Sequence, residues 1–282
     1  MHYTMISDSG CDTPEVDVLP TLVRVPLQIE LDEKFLVADE SLDPDKLLEA
    51  IGVSQTGPKS ACPSPGDFLE RYQAAEGDIY VVTLSSEISG TYNSAVQARE
   101  IFMEENPGRN LHVFNSKSAA AGELLICAKI AELAQAGQPF DEVVAAVETA
   151  ISEMQTMFVL EDLEILRKNG RLSKVQSVVT GALRIKLVMG ATAEGTIQKV
   201  TSALSTTQAL NKMITVLCEH VQKMSEGKIE RLVITHCAAK ERAEYIRDKV
   251  KETVNVKETI ICKAGGISTM YANRGGVVVS FC

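Results

Sequence analysis

The first half of the chain alternates short apolar runs with helix-period patterns, the rhythm of a parallel sheet flanked by helices. Four runs predict strands, Tyr3–Ser7, Leu22–Ile29, Ile79–Leu84 and Leu111–Asn115. In the second, Val23, Val25, Leu27 and Ile29 alternate with Arg24, Pro26, Gln28 and Glu30, which predicts one exposed face. Pro26 predicts an edge position, because proline has no N–H to give a ladder. The other three runs read as more central. Val143, Val144, Val147, Ile151 and Met154 share one helical face and predict a helix over Asp141–Gln155.

From Met157 the order changes. A strand is predicted over Met157–Leu160, a helix over Glu161–Lys168, a break at Asn169-Gly170, and more helix from about Ser173. Runs at Ile185–Ala191 and Thr196–Ala203 flank Thr192-Ala193-Glu194-Gly195, a hairpin turn. A helix (Thr206–Lys223), a strand (Arg231–His236), a helix (Ala239–Lys251) and strands Val256–Cys262 and Gly276–Phe281 follow. Hairpin and crossover together predict a mixed sheet with helices. At one domain per ~100–200 residues, 282 residues suggest two α/β domains, placed at 1–156 and 157–282. The first carries the mostly parallel sheet and the second the mixed one.

Composition narrows the function. Hydrophobic residues at 45% and charged residues at 23% exclude a mainly disordered chain. With 28 Lys+Arg against 38 Asp+Glu, the net charge of −10 disfavours a sequence-independent grip on nucleic acid or on an anionic membrane, and no stretch supplies the ~20 apolar residues of a span, so no stable membrane insertion is expected. The absence of Trp removes a platform of stacked rings. No basic segment leads into a long apolar run, so a cytoplasmic protein is expected. Seven cysteines without CxxC spacing predict no disulfide framework and no zinc site.

Chemistry concentrates in loops. Ser7-Asp8-Ser9-Gly10, Ser85-Ser86-Glu87-Ile88-Ser89-Gly90-Thr91 and Asn115-Ser116-Lys117-Ser118 each follow a predicted strand, and Lys59-Ser60-Ala61-Cys62-Pro63-Ser64 leads into another helix. In a doubly wound sheet such loops gather at the strands' carboxyl ends, where backbone N–H groups suit a carboxylate or phosphate. Single serines there are ordinary caps, and Ser64-Pro65-Gly66-Asp67 has the capping-box form. No GxSxG, P-loop, GxGxxG or HExxH occurs, and His112 and His236 read as structural. Asp8 and Asp12 are minor candidates for a base or metal ligand and better ones for caps. Arg167, Lys168, Arg171 and Lys174 form a basic run, with Arg184 and Lys186 close behind, readable as a solvated face or as a docking patch for a partner.

Several motifs in order resemble the DegV family, bacterial fatty-acid-binding proteins that act as the lipid-holding subunit of fatty acid kinase. Asp8-Ser9-Gly10-Cys11-Asp12, Pro26-Leu27 and Pro63-Ser64-Pro65-Gly66-Asp67-Phe68 match its N-terminal motifs. Ser85-Ser86-Glu87-Ile88-Ser89-Gly90-Thr91-Tyr92 matches its most specific loop, and Leu163-Glu164-Ile165-Leu166-Arg167-Lys168-Asn169-Gly170-Arg171-Leu172-Ser173 its second-domain signature. The resemblance implies a long-chain fatty acid in a tunnel between two domains, no catalysis, no cofactor and no metal. It places the carboxylate at Ser60 and Ser89, with Ala61 and Gly90 beside them. A fatty acid kinase would be the partner, docked through Arg167, Arg171 and Lys174. The chain is a variant: Ser60-Ala61-Cys62 replaces Thr-Ser-Gln, and Met270 to Gly276 replaces a His-x-Gly-Pro-Gly segment. The lost histidine leaves Tyr271 or Arg274 as its substitute. An enzyme acting on a small carboxylated or phosphorylated metabolite at the same loops is the second expectation.

Overall fold

The computed structural model describes residues 2–12, 19, 22–173, 175 and 185–282. In the first half the strands are Tyr3–Asp8 (β1), Leu22–Val25 (β2), Gln28–Leu31 (β3), Lys34–Val37 (β4), Lys59–Ala61 (β5), Asp78–Thr83 (β6) and Leu111–Asn115 (β7). The helices are Pro44–Val53 (α1), Pro65–Ala74 (α2), Thr91–Glu105 (α3), Ala121–Gln135 (α4) and Phe140–Glu153 (α5). A parallel sheet runs in the order β2-β1-β6-β7. A small antiparallel sheet, β4-β3-β5, sits apart from it.

The predicted strand Leu22–Ile29 is therefore two strands in two sheets. β2 is an edge strand, as Pro26 predicts, and pairing stops there. The Leu27 N–H donates to the Ser9 hydroxyl at 2.9 Å, which leads the chain away before β3 begins. The alternation survives the break, since Val25, Leu27 and Ile29 are all buried. β7 is the other edge and not a central strand. Its Val113 and Phe114 are buried in different clusters, because helices cover both faces of a parallel sheet even at its margin.

The second half comprises Gln155–Val159 (β8), Glu164–Lys168 (α6), Lys186–Ala191 (β9), Ile197–Ala203 (β10), Thr206–Ser225 (α7), Lys228–His236 (β11), Lys240–Lys251 (α8), Asn255–Lys263 (β12), Gly266–Ala272 (α9) and Val277–Phe281 (β13). Its sheet runs β10-β9-β8-β13-β11-β12, with β11 and β12 parallel and the other neighbours antiparallel. The hairpin forms where predicted. The helix expected from Glu161 starts only at Glu164, after Asp162 Oδ1 accepts the Glu164 N–H at 3.1 Å and sets a turn. Most of the helix expected beyond Ser173 lies outside the described residues.

The periodicity contains no sign of α4, which is the centre of the molecule. Its apolar residues show no stripe because twelve of its fifteen residues are buried, as expected of a helix held between two sheets. Met5, Tyr80 and Val82 from the parallel sheet and Val233, Ile260 and Cys262 from the mixed sheet join the same apolar cluster around it. Ser64 caps α2 in the capping box the sequence spells, its hydroxyl on the Asp67 N–H and the Asp67 carboxylate on its own N–H.

Candidate functional site

The carboxyl ends of β1, β6 and β7 face the mixed sheet across a cavity that encloses about 920 Å³, open solvent at its mouth included. The parallel sheet supplies its loops: Gly10 after β1, Leu84, Ile88 and Ser89 after β6, Lys117 to Ala120 after β7. The mixed sheet supplies Thr156, Phe158, Gly190 and Val278, and α9 closes a third side with Ile267, Ser268 and Tyr271. The β9–β10 hairpin leans over the fourth side, where the Ser85 hydroxyl donates to the Gly195 carbonyl at 2.8 Å. The walls are mostly apolar; Ser60, Ser89, Arg171 and Tyr271 gather at one end, while Ser118 and Thr156 line the cavity elsewhere.

At that end Ser60 Oγ lies 2.8 Å from the Tyr271 hydroxyl. Ser89 Oγ is 2.7 Å from Thr91 Oγ1 and accepts the Thr91 N–H, beside the N-terminus of α3. The Arg171 guanidinium lies over the Tyr271 ring, 5.8 Å from its centre, and its Nε donates to the Ile88 carbonyl at 3.2 Å. Four side chains from four separate segments thus converge on the same cavity: two serines, a phenol and one guanidinium. Such a set suits an anion, and a carboxylate most simply, because a guanidinium offers directional charged donors and hydroxyls short neutral ones.

Behind the cavity three carboxyls are fully buried. Asp8 accepts the N–H groups of Gly10 at 2.7 Å and Leu84 at 2.8 Å, and Asp12 accepts the N–H of Gly265 at 2.8 Å. These bonds tie the first βα loop to the β6 loop and to α9, both of which wall the cavity. Burial pushes Asp8 and Asp12 up to about 6, although the N–H donors and Arg24 pull the other way. Burial, then the neighbouring Asp8 charge, holds Glu123 well above the usual carboxylate range. Asp8 and Asp12 act as clasps here. Among the described residues no group of three or more His, Cys, Asp or Glu could hold a metal ion.

A family model described as "Uncharacterised protein, DegV family" matches residues 3–282. The chain belongs to the DegV family. It is 32% identical to a DegV domain-containing protein of Streptococcus pneumoniae, over 100% of this chain and 99% of that one. Among solved structures it is similar to a DegV family protein of Ruminococcus gnavus refined with vaccenic acid, at 42% identity and a TM-score of 0.92, covering 99% of both chains. It is also similar to the Fatty Acid Kinase (Fak) B3 protein of Streptococcus pneumoniae loaded with linoleic acid. That match is at 31% identity with a TM-score of 0.87, over 100% of this chain and 99% of the other.

In this DegV chain Ser60, Ser89 and Tyr271 meet at one cavity, while Arg274 does not. Arg274 is exposed and lines a different cleft with Glu161, His236 and Arg242. Ala61 alternates to the outer face of β5, and Gly90 stands behind Ser89, where an added Cβ would lie 3.1 Å from Cys62 Sγ. The basic run does not form one patch. Arg167 makes a forked pair with Glu164 at 2.7 and 2.8 Å, and Lys168 lies 3.8 Å from the same carboxylate. Arg171, beyond the left-handed turn at Gly170, reaches the cavity instead. Lys186 pairs with Glu161 at 2.6 Å, and Lys174 and Arg184 lie outside the described residues. The one signal for Arg171 was its place just after Gly170 in the second-domain signature.

Proposed function

We propose that this chain holds one long-chain fatty acid in the cavity between its two bodies, residues 1–156 and 157–282. Ser60, Tyr271, Ser89 and Arg171 receive the carboxylate, and the chain presents it to a separate fatty acid kinase without catalysing the transfer. The observation that carries this reading is a mostly apolar cavity with one anion-suited end, where Ser60, Ser89, Tyr271 and Arg171 converge. At about 0.8 kcal/mol per buried CH₂, ten methylenes contribute on the order of 8 kcal/mol, the scale of micromolar binding before the costs of immobilisation. The fatty acids in two relatives above 30% identity support the ligand class, and the Fak B3 relative supports the kinase. Tyr271, and not Arg274, takes the place of the family histidine on this reading. Arg167 remains our candidate for the docking surface, and Arg171 moves from docking to ligand binding. The small-metabolite enzyme asks for a short polar pocket, which these walls do not favour.

Titration of delipidated protein with stearic acid tests the reading. We expect a rise in melting temperature with ligand, and about a tenfold or greater loss of affinity in Arg171→Leu, since a charge-assisted hydrogen bond is worth roughly 1.5–3 kcal/mol. Ser60→Ala combined with Ser89→Ala is expected to weaken binding by a similar factor. No thermal response in the wild type, or full affinity in both variants, overturns it.

A further inference from the structure

The loop after β7 meets the cavity through Ser118, and this hydroxyl belongs to a short chain of hydroxyls. Ser118 Oγ is 2.8 Å from Thr156 Oγ1, which is 2.9 Å from Ser280 Oγ. All three residues are buried, and both Ser118 and Thr156 line the cavity. Thr156, Phe158 and Leu160 line it at alternate positions, so Thr156 lies roughly 13 Å along the extended chain from Leu160. Leu160 clusters with Leu166 and Tyr271, at the anion end. The hydroxyl chain therefore faces the alkyl part of a ligand and not its carboxylate.

Three hydroxyls bring three O–H donors, and the two links use two of them. The third has only the Ala119 carbonyl, 3.5 Å from Ser118 Oγ, at the outer limit of a hydrogen bond. The neighbouring start of α4 is also uncapped by any side chain: its cap position is Ala120, buried and at φ 55°. A saturated alkyl chain leaves this spare donor and the free lone pairs unmatched, and a ligand hydroxyl matches both.

We propose that the cavity favours acyl chains carrying a hydroxyl group along the alkyl chain, received by Ser118 and Thr156. This rests on the fatty-acid reading above and adds a ligand class to it. The match comes from a loop side chain of the first half and a strand side chain of the mixed sheet, brought together by the packing of the β7 loop against β8.

Competition binding of stearic acid and a series of its monohydroxylated positional isomers to the delipidated full chain tests the proposal. At least one isomer is expected to bind about tenfold tighter than stearic acid, or 1.4 kcal/mol. Thr156→Val and Ser118→Ala are each expected to reduce that isomer's preference by about tenfold. The ratio of the two affinities is the readout, so a general weakening from imperfect packing cancels. If every isomer binds the wild type more weakly than stearic acid does, as for a site satisfied by ordered water, the proposal is overturned while the fatty-acid reading stands. A preference that both variants retain also overturns it. If neither stearic acid nor any isomer binds, both readings fall.

Discussion

Gly195→Ala is expected to destabilise the chain by about 2–4 kcal/mol and to weaken acyl binding at least tenfold. Gly195 sits at φ +93°, a conformation that costs an L-residue on the order of 1–3 kcal/mol. Its added Cβ would also lie 2.3 Å from Ser85 Oγ and 2.8 Å from Lys117 Cα, and the second contact is backbone that cannot swing aside. The hairpin would lift, breaking the Ser85–Gly195 hydrogen bond, worth about 1 kcal/mol, and opening the side of the cavity it closes. Gly137→Ala is the control, because that residue also has positive φ, +77°, but open space around its Cβ. It should show the smaller conformational cost alone, with ligand affinity intact. Denaturant melts and stearic acid titration of both variants check this. Equal effects of the two substitutions would remove the hairpin from the account of closure.

Stability is expected to rise as pH falls from about 7.5 to 5, by about 1.4 kcal/mol from each of Asp8 and Asp12, the first half of a ~3 kcal/mol effect that is complete only below about pH 4. Each has its pKa raised from 3.8 to about 6, roughly two units at about 1.4 kcal/mol per unit. The folded chain takes up these protons near pH 6 and the unfolded chain only near pH 4. The folded state therefore binds more protons within that window, and stability declines as pH rises through it. The desolvation penalty is complete above about pH 6 and relieved below about 4. Asp8 faces Glu123 from α4 and Arg24, and Asp12 faces Arg24, Cys11, Cys237 and Glu123. Glu123, also raised, adds an effect of the same sign. Exposed carboxylates such as Asp32 and Glu164 are held low by their hydrogen bonds, so they oppose the trend only at more acidic pH. Urea melts across this range are the measurement, and Asp12→Asn should flatten the slope. A stability that climbs with pH between 5 and 7, or a slope unchanged in Asp12→Asn, contradicts the burial argument.

Much of the binding loops was legible in the chain itself. Small hydroxyl residues and glycine after apolar runs mark βα loops, and a parallel sheet must gather those loops at one end. Ser60 and Ser89 could be named on that basis together with the family motifs. Helix α4 could not, because amphipathic contrast reports a boundary with water and α4 has only a narrow one, at Glu132 and Gln135 near its end. The break after Pro26 was half legible. Proline marked the edge, but the switch into a separate sheet depends on the Ser9 hydroxyl eighteen positions earlier in sequence.

The basic run shows most clearly where local reading stops. Arg167 and Arg171 look alike in sequence, four residues apart and both beside apolar positions. α6 ends at Lys168, and the positive φ of Gly170 redirects the chain, so Arg167 stays outside with Glu164 while Arg171 reaches Tyr271. The sequence by itself determined the family, the succession of parallel and mixed sheets, and the hydroxyl-rich loops, since these depend on periods and motifs within a few residues. The tertiary structure alone decided which cation of the run lines the cavity, that Tyr271 and not Arg274 joins Ser60, and that Ser118 meets Thr156. Each of those pairings joins segments tens to hundreds of residues apart, and no local period encodes such a distance.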